Sequence, residues 1–312
     1  IGIILLIFLV LKTKVQAFLA LILATVVVGV VGGMPLSNIT LENGKTLGIV
    51  NSITSGFGGT LGSIGIIIGF GVMMGQIFEV TGAAKRMAYT FLKLFGKGRE
   101  EMALATTGFV VSIPIFCDSG FVVLSPIAKA LSKATKKSVI SLGVSLAAGL
   151  VITHSLVPPT PGPLGVCGIF GIDVGLFLLL TLVLSVPMAI CCIIYAKKFL
   201  AKKYYKIVDD KGNIVDAPYR EADKSASIEL DMTGVPGAFE SFGPLLLPIL
   251  LILINTVSSA LGMKTGIFEV LIFLGQPIVA VGLGLLLAIF TLGRRLDRAT
   301  CLKEMEKGKL KI

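Results

Sequence analysis

The chain has 312 residues, of which 54% are hydrophobic and only 15% are charged, and its mean hydropathy is +0.95. Soluble domains carry about 25% charged residues, so this composition excludes an ordinary soluble enzyme or binding domain. A formal net charge of +10 would be compatible with binding to nucleic acid. The basic residues, however, stand between apolar runs, which argues against a nucleic-acid partner.

Apolar runs long enough to cross a lipid bilayer recur along the chain. A hydrocarbon core of about 30 Å needs about 20 apolar residues as a helix. The runs are Val15–Met34, Leu61–Val80, Val174–Ala196, Phe242–Gly262 and Ile267–Leu292. They predict an all-α polytopic membrane protein.

The basic residues are distributed asymmetrically between the loops. Of the 28 Lys and Arg residues, only Lys45 and Lys264 fall in one set of alternate loops. Basic loops remain on the cytoplasmic side of a membrane. We therefore expect a multi-pass protein of the cytoplasmic (inner) membrane with its basic loops in the cytoplasm.

A region with basic residues at both ends predicts a helical hairpin. Two apolar arms within about 101–135 flank the sequence "PIFCDSG" at 114–120. If both basic ends stay in the cytoplasm, the arms enter and leave the membrane on one side as a re-entrant hairpin with its tip at 114–120. The alternative is two short crossing helices, which would place four lysines outside.

A second interruption falls within the next apolar region, about 138–172. The stretch "VITHSLVPPTPGPLG" at 151–165 contains four prolines, which lack an N–H and clash with the preceding turn of a helix. We expect a discontinuous helix here. Broken backbone at membrane depth persists only inside protein or beside a watery cavity, and transporters build solute sites from such helices.

The two interruptions indicate the chemistry of the solute. The first N–H groups of each half-helix have no partner within the helix, and together with the helix dipole they attract an anion. We therefore expect a small anionic or zwitterionic solute. Thr153, Ser155 and Thr160 offer hydroxyl groups to it.

Two titratable residues lie in the interruptions. Asp118 stands at the hairpin tip, where an acid is costly, and its protonation would remove a charge that repels an anion. The alternative is that Asp118 or Ser119 only caps the returning helix. His154 is the second candidate for proton coupling, because imidazole changes charge near neutral pH. The alternative is that it only forms a hydrogen bond to the backbone of the break. Gln76 and Glu79, near the inner end of Leu61–Val80, are further polar candidates for a functional role, but anchoring at the membrane interface is the favoured interpretation.

The remaining sequence completes the predicted organisation. We expect a first transmembrane repeat at 1–196, a cytoplasmic linker at 197–240, the start of a second repeat at 241–293 and a cytoplasmic tail at 294–312. Pro277 predicts a kink. Polar residues of the run Phe242–Gly262 are expected to satisfy one another or a neighbouring helix: Asn255, Thr256, Ser258 and Ser259.

Three segments resemble the gluconate:proton symporter (Gnt permease) family of the ion-transporter superfamily. They are "TLGSIGIIIGFGVMMGQIFEVTG" at 60–82, "GFVVSIPIFCDSGFVVLSPIAKAL" at 108–131 and "GVSLAAGLVITHSLVPPTPGPLG" at 143–165. The resemblance implies proton-coupled uptake of sugar acids such as gluconate. It also implies a homodimer of chains with two inverted repeats. A family member would continue past Ile312, so the chain corresponds to the N-terminal part.

Carried onto this sequence, the resemblance implies a site at the two interruptions. We predict solute binding by Ser119, Gly120, Thr153, His154, Ser155 and Thr160, proton coupling by Asp118 and His154, and helix breaks at Pro114, Pro158, Pro159 and Pro163. The proton is the coupling ion, and no metal or cofactor is expected.

The sequence leaves other functions open. Cys117 and Ser119 depart from the family pattern, so D-serine or another small carboxylate, with different coupling, is an alternative solute. Remote alternatives are an inactive fragment and a membrane enzyme using His154, Asp118 or Cys117. No paired nucleophile and base or metal spacing supports an enzyme, and the five cysteines are expected to pack as small apolar side chains.

Overall fold

Helices form where the sequence is apolar, and they account for most of the part of the chain that the structure describes. The structure, a computed structural model, describes residues 1–40, 46–209, 211–219, 232–262 and 265–309. Within these ranges, five helical segments are long and apolar enough to cross a membrane: Ile64–Thr81, Val139–Phe170, Val174–Lys203, Ala238–Ala260 and Pro277–Arg295. The prediction of a mostly helical, multi-pass membrane protein is confirmed.

The chain forms two compact units, residues 1–65 and 66–312. The first contains α1 (Gly2–Leu11), α2 (Ala17–Val31), the small antiparallel ribbon of β1 (Ile39–Thr40) and β2 (Thr46–Leu47), and the start of α3 (Ile49–Thr81). The Gln16 side chain caps α2 by accepting from the Leu19 N–H at 3.1 Å. The predicted loop residues Lys45 and Lys264 lie outside the described residues.

The second unit contains the rest of α3 and all later elements. These are α4 (Ala83–Phe95), α5 (Glu100–Val111), α6 (Cys117–Thr135), α7 (Val139–Leu156), α8 (Pro161–Phe170), α9 (Val174–Tyr195), a π-helical turn (Ala196–Leu200), α10 (Ala201–Lys203), β3 (Lys206–Val208), β4 (Ile214–Asp216), α11 (Ala238–Ala260), α12 (Ile267–Leu274), α13 (Pro277–Thr291), a 3-10 turn (Gly293–Arg295) and α14 (Arg298–Lys309).

The centre of this unit is α7, which packs against α5, α6 and α9. The α5–α7 crossing is close because both helices present glycine there. A Cβ on Gly149 would lie 2.8 Å from the Phe109 nitrogen, and one on Gly108 would lie 2.9 Å from the Leu150 nitrogen. Small residues allow membrane helices to approach by backbone, so this crossing fixes α5 against α7.

A hydrophobic core surrounds the crossing. Its fully buried side chains include Phe78 of α3, Met87 of α4, Leu104 of α5, Leu124 of α6 and Leu142 of α7. Buried side chains of this size each contribute about 1.5–3 kcal/mol relative to exposure. The core therefore holds the hairpin of α5 and α6 against α3 and α7.

A cluster of buried charges lies at the base of the hairpin, the end opposite its turn. It is called here the basal ion cluster and consists of Glu100, Glu101 and Lys137. Lys137 Nζ lies 2.8 Å from Glu100 Oε2 and 2.5 Å from Glu101 Oε2. All three side chains are at most 9% exposed. The Glu100 Oε2 contact is an ion pair without the angle of a hydrogen bond, because that atom has no hydrogen-bond partner among the described residues.

The electrostatics of the basal ion cluster favour ionised Glu100. Burial is the largest single influence and raises its pKa, but the adjacent Lys137 ammonium and hydrogen bonds from the N–H groups of Gly98 and Glu100 act against burial. The net effect lowers the pKa of Glu100 below its usual value. The carboxylate therefore remains charged although it is buried.

The segment predicted as a polar linker contains a β-ribbon of β3 and β4, which the sequence analysis missed. The ribbon docks on the base of the hairpin, where the Val208 N–H donates to Ser132 Oγ at 3.2 Å and the Tyr205 hydroxyl donates to the Lys136 carbonyl. Ser138 Oγ also donates to the Tyr204 carbonyl at 2.9 Å. The start of the linker is therefore fixed to the base of the hairpin.

The last apolar run is broken and not merely kinked. α12 ends at Leu274, and α13 begins with Pro277 in its first turn, where the missing N–H costs no helical hydrogen bond. Asn255 Nδ2 of α11 donates to the Ile272 carbonyl at 2.7 Å, and Ser259 Oγ donates to Asn255 Oδ1 at 3.3 Å. Polar residues of α11 thus satisfy each other and a neighbouring helix, as predicted.

Candidate functional site

The hairpin turns within residues 112–116, called here the tip turn. α5 ends at Val111 and α6 begins at Cys117, and Ser112 Oγ donates to the Ile115 carbonyl at 3.3 Å across the turn. The predicted tip at 114–120 is therefore correct at its start, but Asp118, Ser119 and Gly120 belong to the first turn of α6. The N-cap residue is Phe116, so neither Asp118 nor Ser119 has the predicted capping position.

The second interruption lies between α7 and α8, at residues 157–160. This segment contains Pro158 and Pro159, in agreement with the breaks predicted there. Pro163 does not lie in the break, because α8 already begins at Pro161. Proline is accommodated in the first turn of a helix, where its missing N–H would have no intrahelical partner.

The two interruptions meet in space. The rings of Phe116 and His154 form an edge-to-face contact with centroids 5.4 Å apart. A single pocket, called here the shared pocket, is lined by the tip turn, by His154, by Pro159–Pro161 and by Ile68, Gly71 and Val72 of α3. The helix starts of both α6 and α8 therefore lie at this pocket.

The shared pocket is small in this conformation. Its volume is about 20 Å³, and a cavity needs about 10–15 Å³ on this measure to hold one water. A six-carbon acid requires far more space. A solute could enter only after one of the surrounding elements moves.

Two of the predicted site residues line the shared pocket. His154 does so, and its Nδ1 atom is buried without a hydrogen-bond partner among the described residues. Thr160 also lines it, with its hydroxyl donating to the Val157 carbonyl at 2.7 Å. His154, in the last turn of α7, and Thr160, in the break, thus bring an imidazole and a hydroxyl side chain to the lining of the shared pocket.

The structure places Thr153 and Ser155 elsewhere. Thr153 is fully buried and donates to the Phe109 carbonyl at 2.8 Å, so it ties α7 to α5. Ser155 is exposed and is absent from the lining of the shared pocket. Sequence proximity to His154 could not separate these residues, because neighbouring positions on a helix point in different directions.

Asp118 is separated from the shared pocket. It is exposed and lines a mainly apolar groove of about 360 Å³ with Cys117 and Phe121 of α6 and Leu150 of α7. Cys117 Sγ donates to Asp118 Oδ1 at 3.7 Å. The carboxylate thus lies on a different side of α6 from the shared pocket, although the groove and the shared pocket both lie near the start of α6.

Two polar residues of α3 lie beside the tip. Gln76 and Glu79 line a small pocket with Ser119 and the tip turn, whereas anchoring at the membrane interface was the favoured interpretation of their sequence positions. A signal was present: Val72, Gly75, Gln76 and Glu79 share one helical face by their spacing. The spacing predicts that these residues share one face of α3, but it does not predict which element that face contacts.

No group of three His, Cys, Asp or Glu side chains that could hold a metal ion occurs in the ranges that the structure describes. The expectation that the protein uses no cofactor stays a prediction.

Comparison with known proteins identifies relatives along the whole chain. The family model described as "GntP family permease" matches residues 1–308. The chain is 43% identical to an uncharacterized permease of Haemophilus influenzae over 99% of its length, which is 62% of that protein. It is 34% identical to the high-affinity gluconate transporter of Escherichia coli over 96% of its length, which is 63% of that protein.

A third relative has a different sugar acid in its name. The chain is 32% identical to the Gnt-II system L-idonate transporter of Escherichia coli, over 95% of the chain and 63% of that protein. The chain thus spans less than two thirds of the length of these relatives. No solved structure matches it significantly.

Proposed function

Because the chain belongs to the GntP permease family, we propose that the protein is a secondary active transporter and not an enzyme. It takes up gluconate or a related sugar acid together with a proton across the cytoplasmic membrane. The relatives named for gluconate and L-idonate support this solute class. Both solutes are six-carbon acids that combine one carboxylate with several hydroxyl groups.

The observation that carries the proposal is the meeting of the two helix interruptions at the shared pocket. Two helix starts point there, and the positive ends of their dipoles favour an anion. α8 has prolines at its start and so offers fewer N–H groups than α6. The solute carboxylate is therefore assigned to the start of α6, near Ser119 and Gly120, and its hydroxyl groups to His154 and Thr160.

Transport requires the shared pocket to change shape. Its present volume suits a water and not a sugar acid, so binding must displace α3, the tip turn or α8. In this proposal the hairpin of α5 and α6 is re-entrant, the chain contributes one inverted repeat and part of the next, and two copies form a homodimer. Proton coupling is assigned to His154 and Asp118.

Reconstitution in liposomes tests the function directly. The purified protein should accumulate radiolabelled gluconate when the pH is lower outside than inside, and a protonophore should abolish the accumulation. Downhill entry that ignores the gradient would indicate a facilitator. Competition by L-idonate and D-serine at equal concentrations distinguishes a sugar-acid carrier from a carrier of another small carboxylate.

The role of His154 has its own test. His154→Gln keeps a polar side chain but changes the donor and acceptor positions, so the KM for gluconate should rise about 3- to 10-fold, the loss expected from one hydrogen bond. Ser125→Ala is the control, because Ser125 Oγ only donates to the Val122 carbonyl of its own helix. Equal KM values for the two variants would remove His154 from the site.

A further inference from the structure

A second polar pocket lies beside the tip turn, on the side of α3. Gln76 and Glu79 of α3, residues 114–116 of the tip turn and Ser119 of α6 line it. Its volume is about 10 Å³, close to the space of one water. Because residues 114–116 and Val72 also line the shared pocket, the two pockets are neighbours.

The contact between α3 and the tip turn at this place is close. A Cβ on Gly75 would lie 3.0 Å from the Pro114 carbonyl carbon and 3.3 Å from Ile115 Cα. Only glycine permits such an approach of two backbones. Gln76 is 8% exposed and Glu79 is half-buried. The polar face of α3 is therefore held against the start of α6.

Glu79 is the only charged residue between Lys45 and Lys85 in the sequence. An ionisable residue within an apolar membrane segment is costly and marks function more often than structure. Resting on the proposed function, we propose that Glu79 is a further proton-carrying residue of the transport cycle, required in addition to His154 and Asp118. It does so by competing with the solute for the start of α6.

The mechanism follows from the acceptors and donors at the pocket. Ionised Glu79 is a hydrogen-bond acceptor only, and it lies with Ser119 at a helix start that favours negative charge. A solute carboxylate needs the same donors. Protonation removes the negative charge and turns one oxygen of Glu79 into a donor. The donors of α6 then become available to the solute, so proton and anion bind together through linkage.

The charged groups around Glu79 are compatible with this role. Among the described residues, no other titratable side chain lines its pocket. On α6, Asp118 lines the separate apolar groove, and on α7, His154 lines the neighbouring shared pocket. On α4, the Arg86 side chain donates to the carbonyls of Val235 and Pro236 and so is directed to the start of α11.

The test separates exchange from proton-driven accumulation in liposomes with radiolabelled gluconate. Glu79→Gln mimics the protonated state, so gluconate counterflow should persist while accumulation falls from about tenfold per unit of pH gradient to none. The KM of counterflow should also lose its pH dependence. Glu269→Gln is the matched control, because Glu269 is an exposed glutamate of α12, and it should retain both activities.

The outcomes distinguish this inference from the proposed function. Absence of gluconate counterflow in the unmodified protein would overturn the proposed function and this inference with it. Wild-type accumulation in Glu79→Gln would overturn the inference alone. If Glu79→Gln does not fold, Glu79→Asp keeps the carboxyl group at a different distance. It should accumulate gluconate with a shifted dependence of KM on pH, and an unshifted dependence or a folded but inactive protein would contradict the inference.

Discussion

The two ends of the α5–α6 hairpin are built in opposite ways. At the base, three buried charges contact one another and the β3–β4 ribbon adds hydrogen bonds from outside. At the tip, small pockets remain, His154 Nδ1 lacks a partner among the described residues, and contact depends on glycine. The comparison indicates that the base fixes the hairpin, while the tip retains the polar groups to which we assign the proposed solute.

The largest effect should come from removing the cation of the base. Lys137→Met leaves Glu100 and Glu101 buried without their counter-charge, and breaking a buried ion pair in this way costs about 3–5 kcal/mol. Unfolding in detergent, followed by the melting temperature, measures the loss. Lys129→Met is the control, because Lys129 is exposed and should change stability by less than about 0.5 kcal/mol. Equal stability of both variants would show that the base does not fix the hairpin.

A smaller effect is expected at the tip. Gly75→Ala places a methyl group against the Pro114 carbonyl, and overpacking of this kind costs about 1–3 kcal/mol. Gly69→Ala on the same helix meets nothing within 4 Å, so alanine there should be neutral or should stabilise α3 by about 0.5–1 kcal/mol. Gly75→Ala should lower the melting temperature, and Gly69→Ala should leave it unchanged or raise it. A shift of Gly75→Ala in the same direction as Gly69→Ala would mean that the tip contact is loose.

The smallest effect should be the contribution of Glu100 to pH dependence. Its pKa is lowered in the folded protein from its usual value of 4.5, so its ionised form stabilises the fold. This stabilisation is complete above about pH 4.5 and is lost as the pH falls through the lower, folded pKa. Glu100→Gln should therefore flatten the fall of melting temperature below pH 4.5. Glu306→Gln, at an exposed position of α14, should leave that curve unchanged.

The places where helices are interrupted were predictable from the sequence. The prolines at 158 and 159 lie in a real break, because proline removes a donor and clashes with the preceding turn. For Pro277 the sequence predicted only a kink, whereas the structure has a break before it. The prediction for Pro163 was wrong for a related reason. A proline in the first turn of a new helix looks the same in a sequence as one in the break before it.

The assignment of neighbours was not predictable. The sequence places Asp118 and Ser119 next to each other, yet the structure puts Ser119 beside α3 and Asp118 beside α7. Which partner each side of α6 meets depends on packing between helices that are distant in sequence. The β3–β4 ribbon was missed because its two strands have three residues each and their anchors, Ser132 and Lys136, lie far earlier in the chain.

The glycine crossing of α5 and α7 limits how the molecule can change conformation. At Gly108 and Gly149 the two main chains touch with no side chain between them that could adopt another rotamer. The bond from Thr153 to the Phe109 carbonyl adds a second attachment farther along. The helices α5 and α7 must therefore move together as one rigid body. In the proposed transport cycle, access of the solute to the shared pocket from either face of the bilayer then depends on displacement of α3 or α8 relative to α5 and α7.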